Sequence, residues 1–196
     1  MKEKTSTLHT FQQCAWMMSF FKFLTISFLG SILLIVSSKI VIPFVVVGGT
    51  PAQMVVILLG ALMGRTYAVG SVIAFLAQGA MGLPVFIGTP EKGIGLAYMA
   101  GPTAGFLTGY LVAAFLVGML ADRGWGKTLI QSTLMMFTGM LCIHFFGATW
   151  LSYLFGFEKA LTIEAQYLIG DFVVKLGFGA AIIPLFQSKI RVLLNK

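Results

Sequence analysis

The chain has 196 residues, 58% of them hydrophobic and only 10% charged, with a formal net charge of +7. An ordinary soluble domain carries about 25% charged residues, so the composition excludes a water-soluble globule. The basic residues do not gather into an arm or patch that would suit nucleic acid; they sit at the ends of apolar runs, as membrane topology requires.

Several apolar runs of about 18 residues or more are long enough to cross a bilayer core of roughly 30 Å. The alternating segments of about ten residues that mark a transmembrane barrel do not occur. The expectation is an all-α integral membrane protein, a bundle of six transmembrane helices in the lipid bilayer. Cys14 and Cys142 show neither CxxC nor metal-ligand spacing, and no disulfide between them is expected. Met1 to Gln13 is polar, and no small-residue cleavage site follows the first apolar run, so an ordinary signal peptide is not expected either.

The first span is expected from Met18 to Ile42. Within it Ser27 and Ser31 form a small-xxx-small pair that lets another helix approach closely, either inside this chain or on a partner subunit. The stretch from Pro43 to Pro51 has prolines and glycines that break the helix, yet is apolar enough to fold back on the bundle. Thr50 and Pro51 read as an N-cap and first helical position of a short second span, Pro51 to Gly64, with Gln53 in its first turn. Gly64-Arg65-Thr66 then turns tightly into a third span, Tyr67 to Leu83.

Residues 84 to 100 form a seventeen-residue connection without helical period, rich in apolar side chains such as Phe86, Ile87 and Tyr98. Connections of that length in a compact domain are often lids or binding segments. The fourth span opens at Gly101-Pro102, with Gly101, Gly105, Gly109 and Ala113 at intervals of four, a small-residue stripe for close helix packing. After the polar turn from Asp122 to Lys127 the fifth span runs from Thr128 to Tyr153. It carries His144 inside, read as a hydrogen-bonded packing residue, and Trp150 and Tyr153 as interface anchors. Glu158, Lys159 and Glu164 mark a loop before the sixth span, Ala165 to Phe186.

Six spans place both termini on one side. Nine basic residues fall on that side (Lys2, Lys4, Lys22, Arg65, Arg123, Lys127, Lys189, Arg191 and Lys196) and three opposite (Lys39, Lys92 and Lys159), so both termini are expected to be cytoplasmic. Residues 1–17 would be a cytoplasmic N-terminal segment, 18–188 the six-helix domain that binds substrate, and 189–196 a basic cytoplasmic tail.

The sixth span carries an acid and a base, Asp171 and Lys175, four residues apart and so on one helix face, with Tyr167 one turn earlier. Ionisable groups at such depth are costly and face a bundle interior or a wet cavity. A carboxylate accepts from N–H groups and an ammonium donates to oxygen, so together they suit a ligand offering N–H and C=O side by side. The alternative is a self-satisfied ion pair that orients the helix. No HExxH, GxSxG, Walker loop or Rossmann fingerprint is present, so catalysis and nucleotide binding are poorly provided for. A membrane-embedded enzyme using His144 and Asp171 is the alternative of a different class.

Three blocks resemble one family: GAMGLPVF from Gly79 to Phe86, GIG from Gly93 to Gly95, and GPTAGFLTGYLVAAFLVG from Gly101 to Gly118. They are similar to the BioY family of biotin transporters, the substrate-specific S components of energy-coupling-factor (ECF) transporters. Gln53, Trp150-Leu151 and Gly170-Asp171 follow in the family's order, and the resemblance covers roughly residues 20 to 190. It implies a protein of the bacterial cytoplasmic membrane that binds biotin near its outer face, without catalysis or cofactor. Its partners would be a transmembrane coupling subunit and cytoplasmic ATPases. On that reading Asp171 and Lys175 meet the ureido ring, while Phe86, Tyr98 and Tyr167 form the walls. Gln53 adds a polar contact, Gly93 and Gly95 bring the lid backbone close, and Lys92 meets the carboxylate tail. An S component for another vitamin would share the fold.

The chain also departs from the family pattern, in which acid and lysine usually stand three residues apart and an AxxxA coupling motif occupies the place of Ser27 and Ser31. Phe75, Ala104 and Phe106 stand where Tyr, Gly and Tyr are frequent.

Overall fold

The computed structural model describes residues 2–40, 50–91, 93–167 and 172–194, with the backbone alone for 2–15 and for Gln166 and Tyr167. Every element among the described residues is helical: α1 (Lys2–Lys39), α2 (Ala52–Met63), α3 (Arg65–Ala80), α4 (Gly95–Met99), α5 (Ala104–Asp122), α6 (Leu129–Phe155), α7 (Phe157–Tyr167) and α8 (Val173–Leu194). Among the described residues, four stretches are long and apolar enough to cross a membrane: Trp16–Lys39 within α1, then α5, α6 and α8.

The two remaining expected spans are short for physical reasons. Twelve residues in α2 reach only about 18 Å at 1.5 Å per residue. Pro51 precedes α2, and Gly64, at φ +80°, ends it and turns the chain at once into α3. A helix apolar all round belongs in a core and need not match a bilayer. Val56, Ile57 and Ala61 are fully buried, and α2 packs on α1, α3, α5, α6 and α8. It is the hub of the bundle.

Close packing follows from residue size. A Cβ on Gly109 would lie 2.8 Å from Cα of Ile143, and one on Gly105 would collide with the backbone of α6 at Phe146. The glycine stripe thus lets α5 and α6 touch through their backbones, as expected from its spacing. Ser27 and Ser31 do the same between α1 and α3: they are 4% and 0% exposed, Ser27 faces Gly70, and Gln78 Nε2 donates to Ser31 Oγ at 2.8 Å. Of the two readings of Ser27 and Ser31, contact inside the chain is made in this structure, with α3 packed over both.

Other boundaries differ from the sequence reading. Helix α1 extends back to Lys2 because polar residues can continue a helix beyond the bilayer, and it ends at Lys39. The apolar stretch from 41 to 49 lies outside the described residues. Thr50 does not cap α2: Pro51 holds that position, with no side-chain cap, and its carbonyl accepts from Val55 N–H at 2.9 Å. The expected loop around Glu158 and Glu164 is helix α7, which packs back on α6, and residues 168–171, between α7 and α8 in the expected sixth span, lie outside the described residues.

One end of the bundle is tied by polar contacts. Asp122 Oδ1 accepts from Arg191 at 3.0 Å while its Oδ2 accepts the first N–H of α3, at Arg65, at 3.1 Å. Gln187 Nε2 donates to the carbonyls of Ala61 and Trp125 at 3.0 and 2.6 Å. These bonds join α2, α3, α5 and α8 where the chain turns, opposite the end that holds the cavity.

Candidate ligand-binding cavity

Where α1 and α3 finish and α2, α5 and α8 begin, the helix ends surround a cavity of about 100 Å³. Thr103, Phe106, Leu107 and Tyr110 line it from the start of α5. Their i, i+3, i+4, i+7 spacing makes them one helix face. Phe75 comes from α3, Ala52 and Gln53 from α2, Ser38 from the last turn of α1, and Thr50 from just before α2.

The long connection between α3 and α5 closes the cavity with Phe86, Ile87 and Tyr98. It is a run of turns ending in the single-turn α4. The rings of Phe86 and Tyr98 stack at 4.9 Å with an 11° interplanar angle, and Phe86 meets Phe75 edge-on at 5.3 Å. Gly79 makes room for this arrangement, because a Cβ there would strike the ring of Phe86. Tyr98 OH donates to the carbonyl of Ile87 at 2.9 Å, so the wall is held by a hydrogen bond as well as by stacking.

Into this aromatic chamber α8 projects Lys175, 2% exposed, whose Nζ donates to Oε1 of Gln53 at 3.0 Å. A buried ammonium persists only where oxygen acceptors replace water. Gln53 supplies one from the opposite helix. Four residues expected at the site from sequence, Gln53, Phe86, Tyr98 and Lys175, thus line one space.

The others do not. Gly93 and Gly95 lie outside the lining; their φ values of +96° and +66° explain glycine there, and Gly95 backs onto the end of α3. Asp171, Lys92 and the side chain of Tyr167 lie outside the described residues. Sequence reasoning passed over Ser38, Thr50, Ile87, Thr103, Leu107 and Tyr110. The α5 face was legible in its spacing, but the glycine stripe of the same helix drew the reading toward packing.

His144 is not among the lining residues. Its Nδ1 lies 2.7 Å from Glu164 Oε2, and both residues are buried, at 8% and 4% exposure. Glu164, expected in a loop, is brought to His144 because α7 folds back along α6. The pair is a polar tie between these helices, with Phe106 edge-on to the imidazole at 6.1 Å. Trp150 was expected as an interface anchor; its indole N–H donates to Gly101 O at 2.9 Å and ties α6 to the entry of α5. Tyr153, 81% exposed, retains the outward position.

Apolar helices that enclose an aromatic chamber with a buried cation at one end define a membrane protein that binds a small molecule. The comparisons narrow the class. Residues 6–191 match the model of the BioY family, and the chain belongs to that family. It is 32% identical over 133 residues to the probable biotin transporter BioY of Pyrococcus horikoshii, covering 68% of this chain and 76% of that one. The biotin transporter BioY of Rhizobium etli is likewise 32% identical, over 66% of this chain and 73% of that protein. Among solved structures, the S component for biotin from an ECF-type ABC transporter superposes with a TM-score of 0.64. It is 26% identical, and the match covers 89% of this chain and 92% of that one.

Proposed function

We propose that this chain is the S component for biotin of an ECF-type transporter, a binding protein of the cytoplasmic membrane and not an enzyme. The observation that carries the reading is the cavity where Gln53, Phe86, Tyr98 and Lys175 converge, in a chain whose fold matches a biotin S component over most of its length. Biotin offers a cyclic urea and a carboxylate tail, and a buried ammonium suits an oxygen of either. Asp171, four residues before Lys175, would accept the ureido N–H groups, Tyr167 would add to the apolar wall, and Lys92 would meet the tail.

The chain crosses the membrane six times with both termini in the cytoplasm: α2 and α3 complete the count alongside the four long helices. The excess of basic residues on the side of the termini supports that orientation. The cavity then opens outward, and a transmembrane coupling subunit with cytoplasmic ATPases supplies the energy. Equilibrium binding of radiolabelled biotin to purified protein, with unlabelled biotin, thiamine and riboflavin as competitors, tests the reading. Saturable binding displaced by biotin alone supports it. No binding by a folded, monodisperse sample refutes it, and displacement by another vitamin reassigns the ligand.

A further inference from the structure

The long connection that roofs the cavity is fastened from outside by the last turn of α1. Lys39 Nζ donates to the carbonyls of Phe86 and Thr89, each at 3.0 Å, and to Thr89 Oγ1 at 2.9 Å. An ammonium has three protons to donate, and here each has an oxygen partner. Thr89, 6% exposed, in turn donates its hydroxyl to Phe86 O at 2.7 Å, and next to Lys39 the hydroxyl of Ser38 donates to Val85 O. Charge-assisted bonds of this kind are roughly twice as strong as neutral ones. A lysine in the last turn also faces the negative end of the helix dipole.

The fastened segment is the one that bears on the cavity. Residues 85–89 carry Phe86 and Ile87, both lining it, and Phe86 is the ring stacked on Tyr98. For the roof to lift, Phe86 must leave that stack and the carbonyls of Phe86 and Thr89 must leave Lys39. The stacked rings hold the segment from within, whereas Lys39 holds it from α1, the helix that packs along α3.

We propose that Lys39, with Ser38 beside it, is a positioning residue that latches the roof of the cavity and so sets how long a bound ligand stays. It contacts the roof and not the ligand, since its donors are already taken by the roof. The inference rests on the binding reading above only for the identity of the ligand. Movement of the end of α1 relative to α3 would release the latch, giving this helix a route to the site.

The test is the dissociation rate of radiolabelled biotin from wild-type, K39M and K39R protein, together with deuterium uptake of the 83–91 peptide without ligand. Methionine keeps the length and removes all three donors; arginine keeps the charge and the donors. K39M is expected to release biotin 10- to 100-fold faster with an association rate within threefold of wild type, and to raise uptake in that peptide alone. K39R should recover most of both effects. A merely structural role would lower the folded fraction while leaving the dissociation rate of the folded protein unchanged, and that result overturns the proposal. Should wild-type protein bind no biotin, the ligand reading fails and uptake decides the latch by itself: unchanged uptake in folded K39M overturns it.

Discussion

Replacing Lys175 by methionine probes the centre of the cavity. The side chain keeps its length and apolar stem but loses the ammonium, and Gln53 Oε1 loses the donor that sits 3.0 Å away. A hydrogen bond to a charged group contributes about 1.5–3 kcal/mol, and a buried acceptor left unsatisfied costs about 1–3 kcal/mol. The ligand-facing part of that loss, taken as one charge-assisted bond, weakens biotin about 10- to 100-fold at roughly 1.4 kcal/mol per decade. Gln53→Leu should weaken binding less, because the ammonium remains. The Lys175→Met/Gln53→Leu double variant should be less destabilised than the sum of the singles by about 1–2 kcal/mol, as expected for residues in contact. Titration of radiolabelled biotin into detergent-purified variants gives the first quantity. Chemical unfolding of the four proteins without ligand gives the second. A folded Lys175→Met protein with wild-type affinity would place the ligand elsewhere, and additive single-variant stabilities would show that the bond to Gln53 contributes little.

Three further outcomes are expected. Asp171→Asn should weaken biotin at least tenfold, about 1.4 kcal/mol; unchanged affinity in a folded variant would remove Asp171 from the site. His144→Ala leaves Glu164 buried without the group 2.7 Å from it. A buried hydrogen-bonding group left without its partner costs about 1–3 kcal/mol, so a drop in thermal stability is expected while the affinity of the folded fraction stays within about threefold, this residue lying outside the lining. Loss of binding without loss of stability would contradict that assignment. Gly109→Ala sets a methyl 2.8 Å from Cα of Ile143 and 3.0 Å from its carbonyl oxygen. Neither neighbour is a flexible side chain, so α5 and α6 must separate, at about 1–3 kcal/mol; an unchanged unfolding midpoint would refute backbone contact at this crossing.

Composition and spacing alone assign the membrane class, since nothing short of a bilayer accommodates this density of apolar side chains. They also determine the close crossing at Gly105 and Gly109, because spacing four apart forces those positions onto one face. The aromatic character of the roof was legible too, through Phe86 and Tyr98 in a connection otherwise too apolar for water. Tertiary structure alone decided what depends on which helices become neighbours. Ser27 and Ser31 could have packed inside the chain or met a partner, and in this structure α3 packs over both. Glu164 looked like a loop acid until α7 folded back and set it against His144, a pairing across twenty residues that no local pattern encodes. Lys39 read as a topological charge, yet its three acceptors lie about fifty residues on, at Phe86 and Thr89. Periodicity reports which face of a helix is apolar. Only packing decides what that face, and each helix end, meets.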